Sequence, residues 1–180
     1  MVFKLTNRRK ASAAAYTLVE LIVGIALGML VLGAVGSVYL YSLTSFATMA
    51  NYADLNAKNR MASDLISRDI RAASGVTSVT TTQLVLHFPK TDVSYTYDPD
   101  LATVTRTQFG EPRILLKNVD YLDFYLYQRP LDTASYEQFP TATPATAKMV
   151  AFEWSCSQAV YNGVKTSESH QAAIVELRNE

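Results

Sequence analysis

Between Leu21 and Ala53 the sequence contains no Asp, Glu, Lys or Arg. Its most apolar part, residues 21–43, is mainly Leu, Val, Ile, Gly and Ala. As one helix those residues would be about 35 Å long, enough to cross a hydrocarbon core of about 30 Å. A buried helix of a water-soluble domain is rarely this long and apolar on every side. A secretory signal has a shorter apolar region, followed by a small-residue cut site. Here the small residues, Ser12 to Ala15, come before the run. An uncleaved membrane anchor remains open. Lys4, Arg8, Arg9 and Lys10 precede the run with no acid among them. That bias holds the N-terminus in the cytoplasm and sends the C-terminal part across the membrane.

The zero net charge of the 180-residue chain hides this asymmetry. Removing the four leader charges leaves twelve basic against sixteen acidic residues. No basic stripe is present, so nucleic acid is not an expected partner. Cys156 is the sole cysteine, which excludes an internal disulfide.

One acid, Glu20, stands at the rim of the apolar run. Thr17-Leu18-Val19-Glu20 has capping-box spacing, and a carboxylate in the first helical turn suits the helix dipole. That reading needs no partner. Yet a charge inside a membrane segment costs about 2.5–3.5 kcal/mol at mid-depth and less near the interface. The position therefore invites a cation. A cut between Ala15 and Tyr16 would create one, an α-amine four residues from Glu20. Pairing with a neighbouring copy's amine would fix register between subunits; pairing within the chain is the other geometry. Gly24 and Gly28 form a small-xxx-small pair for close helix packing, although glycine is also common in membrane helices.

A basic leader, a small residue, an aromatic, then Thr-Leu-Val-Glu-Leu and a long apolar helix resembles the prepilin signature of type IV pilins and type II secretion pseudopilins. The resemblance implies cleavage by prepilin peptidase after Ala15 and N-methylation of Tyr16. It also implies a role for Glu20 in subunit assembly. Two residues depart from the pattern: Ala15 stands where the family usually has Gly, and Tyr16 where it usually has Phe. The implied protein is a structural subunit and not an enzyme. Its implied partners are other pilin or pseudopilin subunits, the bacterial inner membrane and an assembly platform. The N-terminus would be cytoplasmic and the domain periplasmic, or on a surface filament after assembly.

Further along, Leu55, Ala62, Leu65, Ile66, Ile70 and Ala73 share one stripe at helical period. Arg60, Asp64, Arg68 and Arg71 lie opposite, with Asp64 and Arg68 at i,i+4. One helix is expected over 17–73, with Gly75 as its stop. Strands are expected over 83–88, 93–97, 101–109, 114–116, 119–127, 149–155 and 171–178, with a turn at Asp98-Pro99-Asp100. Residues 129–147 read as a surface loop, and 157–169 as a loop containing the Tyr161-Asn162-Gly163 turn. The fold class is α+β: a long N-terminal helix packed on an antiparallel sheet, the pilin-like plan. The expected divisions are a leader (1–15), an assembly half of the helix (16–50), an amphipathic half (51–75) and a β-rich domain (76–180). The stretches MASDLISRDIRAASG, VSYTYD, LLKNVDYLDFYLY and IVELRN resemble W-type minor pilins and J-type pseudopilins.

Little else points to chemistry. His87 and His170 are far apart in sequence, with no Cys/His cluster, so neither a metal nor a cofactor is expected. Asp98 and Asp100 flank a turn proline, which reads as a turn before it reads as a calcium site. Cys156 reads as an inert buried thiol. The tyrosines of 121–127 read either as sheet packing or as an exposed aromatic face.

Overall fold

The computed structural model describes residues 16–129, 141–161 and 164–178. Helix α1 spans Leu18–Ala72 without a break. The chain divides into two compact units, Met1–Leu43 and Thr44–Glu180. In the first unit the described residues are the start of α1, and none of them is buried.

Among its described residues the second unit holds the rest of α1 and eight strands. Strands β1 (Gly75–Val79), β2 (Gln83–His87), β3 (Val93–Asp98), β4 (Thr103–Gln108) and β5 (Glu111–Lys117) form a five-stranded meander. Strands β6 (Val119–Tyr127), β7 (Met149–Tyr161) and β8 (Val164–Glu176) form a second, three-stranded sheet. Every pairing is antiparallel. The long helix and the antiparallel strands are as expected, but there are two sheets where the sequence suggested one.

The sheets part at one residue. Asn118 alone separates β5 from β6, with φ of 57°. Asparagine is among the few residues that adopt this left-handed conformation readily. Its carbonyl accepts from the Ser157 N–H at 3.0 Å, while the Val119 N–H donates to the Ala102 carbonyl at 3.0 Å. The corner is thus tied to both sheets.

Alternation along the strands builds the core. Leu84 and Leu86, Val93 and Tyr95, then Leu122, Phe124 and Leu126 point inward with Val150, Phe152 and Trp154. They close over Leu55, Ala62, Ile66 and Ile70 of α1 in one cluster. Phe152 and Trp154 stack with centroids 5.2 Å apart. The expected helical stripe is therefore the docked face, with Leu65 half-buried at its margin. The expected Asp64–Arg68 pair is absent: Arg68 Nε lies 3.8 Å from Asp69 Oδ1 instead.

Three expectations need correction. Gly75 does not merely stop the helix; it opens β1, which the sequence reading missed. Only Val76 of that strand is buried, and its register slips between Val76 and Ser78, so no clean alternation exists to read. The expected loop over 157–169 is instead the continuation of β7 and β8, paired from Met149↔Glu176 to Tyr161↔Val164. The serines of this segment find partners elsewhere in the unit. Ser157 donates to Asp120 Oδ1 at 3.0 Å and Ser167 to the Thr48 carbonyl at 3.1 Å. Residues 162 and 163 of the expected turn lie outside the described residues, as do 130–140 of the proline-rich loop. The end of that loop is not free surface: Ala142 N–H donates to the Leu126 carbonyl, and Ala147 is buried in the core.

Ile66 is fully buried where α1 meets the sheets. Ile66→Ala is expected to destabilise the second unit by about 2–5 kcal/mol. Urea unfolding in detergent, followed by fluorescence of the single tryptophan Trp154, measures this.

Candidate functional site

The candidate site from sequence lies at the start of α1. Thr17 is the N-cap. Its carbonyl accepts the first helical bond from Leu21 N–H at 3.1 Å, and its hydroxyl accepts from Glu20 N–H at 3.3 Å. This is the forward arm of the capping box. It turns the first donors of the helix inward and leaves the Glu20 carboxylate on the surface. Tyr16 is 81% exposed beside it. Ala15 and the rest of the leader lie outside the described residues.

From Leu21 to Leu43 the helix is mostly apolar on every side. It is long and apolar enough to cross a membrane, and its most apolar window, at mean hydropathy 2.5, has no residue buried within the chain. Polar side chains in and beyond this stretch bond back to their own helix. Ser37 Oγ donates to the Ala34 carbonyl at 2.8 Å, Ser42 Oγ to Val38 at 2.9 Å and Thr48 Oγ1 to Thr44 at 2.9 Å. Such bonds remove any need for water at those hydroxyls. Around Gly24 and Gly28, and Gly33 and Gly36 further on, a Cβ would meet nothing within 4 Å. No packing among the described residues requires those glycines.

The second unit holds polar residues that sequence reasoning missed. Asp69, on the docked face of α1, is buried. Its Oδ2 accepts from Tyr95 Oη at 2.7 Å, from Arg106 Nη2 at 2.7 Å and from Arg106 Nε at 2.8 Å. The carboxylate is thus held by strands β3 and β4. Burial, and then the bond to Asp69, raise the Tyr95 phenol far above the ordinary tyrosine range. Burial opposes the Arg106 charge, but its bonds to Asp69 and Tyr95 outweigh that and raise its pKa. Asn59 forms a second anchor. Its Oδ1 accepts from Trp154 Nε1 at 3.2 Å, and its Nδ2 donates to the Ser169 carbonyl at 3.4 Å. Asn59 and Asp69 share the phase of Leu55, Ala62 and Ile66. A polar residue in the apolar phase was the available signal.

The remaining candidates are turned to other tasks. His87 Nδ1 pairs with Asp92 at 2.9 Å and His170 Nε2 with Glu168 at 3.1 Å. Among the described residues no three His, Cys, Asp or Glu side chains gather as a metal site. Asp98 Oδ1 accepts from the Asp100 and Leu101 N–H groups at 2.9 and 3.1 Å, which closes the turn. Cys156 is buried, and burial with the nearby Asp120 charge pushes its thiol up to about 11. No family model, curated protein or solved structure matches the chain.

Two outcomes follow from the Asp69 anchor. Arg106→Met strands a buried carboxylate and is expected to cost about 3–5 kcal/mol in chemical unfolding. Folding keeps Tyr95 protonated, so its contribution is full below the ordinary tyrosine pKa of 10.0 and falls as pH rises above it. Tyr95→Phe should lower stability at neutral pH, yet lose less than the parent protein between pH 9 and 11. Denaturant midpoints at the two pH values test this.

Proposed function

We propose that the chain is a minor pilin or pseudopilin. In this reading it is a structural subunit that assembles through α1 into a type IV pilus or type II secretion pseudopilus, in the tip or priming complex. The observation that carries the reading is the start of α1. A threonine-capped first turn that carries one carboxylate, Glu20, opens a helix whose next 33 residues, Leu21 to Ala53, bear no charge. Among the described residues of the first unit, none covers the start of that helix. The capped-helix geometry, the docked amphipathic half and the antiparallel sheets are compatible with the pilin-like plan expected from the sequence.

In this proposal prepilin peptidase cuts between Ala15 and Tyr16 on the cytoplasmic side, and the new amine is methylated. The helix first rests as a single span in the inner membrane, with the β-rich unit in the periplasm. On assembly it moves among the helices of other subunits. The exposed carboxylate of Glu20 then meets the amine of a neighbour, which offsets the cost of taking either charge out of water. The open surroundings of Gly24 and Gly28 let a neighbouring helix come close. The contact is head-to-tail and does not close, so repetition yields a helical filament. An uncleaved single-pass protein with an exported binding or adhesion domain is the alternative, with Glu20 acting only as part of the cap.

The two readings separate on Glu20. Glu20→Ala keeps Thr17 as N-cap, so insertion and cutting should persist. Recovery in sheared filaments is expected to fall about tenfold or more, the loss of a desolvated ion-pair partner. Normal recovery would reject the pairing and favour the simple anchor.

A further inference from the structure

The three-stranded sheet has a second face, turned away from the core. Strand β6 sends Tyr121, Asp123, Tyr125 and Tyr127 to that side, alternating with the buried Leu122, Phe124 and Leu126. Tyr121 and Tyr125 remain 40% and 42% exposed, and Ile174 on β8 is 51% exposed. An open groove of about 520 Å³ lies on this sheet, lined by Tyr125, Tyr127, Glu153 and Ile174 with the small side chains of Ala151 and Ala172 among them. Side chains this small let a visiting chain approach the sheet closely.

A charge anomaly crosses the same face. Asp123 stands directly opposite Glu153 on β7. Opposed like charges weaken a sheet. Among the described residues no basic side chain forms an ion pair with either acid. Their field reaches the neighbouring ring: the Asp123 charge, then burial, then the Glu153 charge raise the Tyr125 phenol above its ordinary range.

We infer that this face docks a segment of a partner protein that carries an arginine between apolar side chains. The guanidinium would bridge Asp123 and Glu153 and relieve their repulsion. Its planar fork suits carboxylates better than the point charge of lysine does. Its flat face can also lie against the electron-rich Tyr125 ring. The flanking apolar groups would fill the groove over Ala151 and Ala172 against Ile174. Tyrosine and arginine are frequent anchors at protein interfaces. Every residue involved belongs to the second unit, so this inference stands or falls separately from the assembly of α1.

The test uses the full chain in non-ionic detergent with ¹³C-labelled tyrosine rings. The probes are acetyl-Leu-Arg-Leu-amide and its counterparts with Gln or Glu at the centre. At low salt the arginine peptide is expected to shift the Tyr125 resonances saturably. The glutamine peptide should bind at least about tenfold more weakly, and the glutamate peptide not at all. Asp123→Asn with Glu153→Gln should weaken the arginine peptide by about tenfold or more while raising the Tm of the free protein. Equal binding of the arginine and glutamine peptides, no saturable shift, or shifts confined to other tyrosines would overturn the inference. So would unchanged binding by the double variant, or a fall in its Tm, which would place the acids in the fold instead.

Discussion

The burial of α1 is the constraint from which the rest follows, because the two stretches of this helix meet it in opposite ways. From Thr44 onward, one stripe is covered by the two sheets of its own unit. Before that, none of the described residues, 16–43, is buried. A fully buried Leu, Ile or Val is worth about 1.5–3 kcal/mol relative to exposure in water. Residues 21–43 supply many such side chains, so water is an unfavourable surrounding for them. Lipid or other apolar helices would satisfy both the side chains and the hydroxyls already bonded back to the helix. Glu20 is the charged residue of α1 before Asp54 that such surroundings do not satisfy.

The docked stretch solves a different problem. An apolar stripe alone tolerates sliding by a turn, since Leu, Ile and Ala are loosely interchangeable as partners. Asn59 and Asp69 remove that freedom. They sit ten residues apart, about 15 Å along the axis. Asn59 meets the three-stranded sheet and Asp69 the five-stranded one. A slip of one turn would leave a buried carboxylate away from Tyr95 and Arg106, at a cost far above that of imperfect apolar packing. The helix is therefore set in register against both sheets, while Asn118 sets where one sheet gives way to the other.

Much of this plan was readable from periodicity. The apolar run, the stripe of α1, the turn at Asp98 and the alternation of β6 each reflect one local rule, and each has its counterpart in the structure. The misses share a cause: their partners lie far away in sequence. The segment 157–169 reads as a loop from its turn signal, and the pairing of β7 with β8 and the bonds of Ser157 to Asp120 and Ser167 to Thr48 cannot be read locally. Asp69 looks like one more surface charge until Tyr95 and Arg106 arrive from the sheet. Strand β1 has one buried residue and a slip in register, so its membership depends on β2. At the candidate site the cap was legible because it is local: Thr17 and Glu20 are three residues apart. The partner of the Glu20 carboxylate was not, because none of the described residues is placed against it.

The account rests on the origin of a cation for Glu20. The direct measurement is the mass of the N-terminal fragment of this protein, taken from membranes and from filaments. The account predicts a chain that begins at Tyr16 and carries one methyl group on its α-amine. Filaments in working order whose subunits still begin at Met1 would contradict it, leaving Glu20 as a helix cap on a tethered domain.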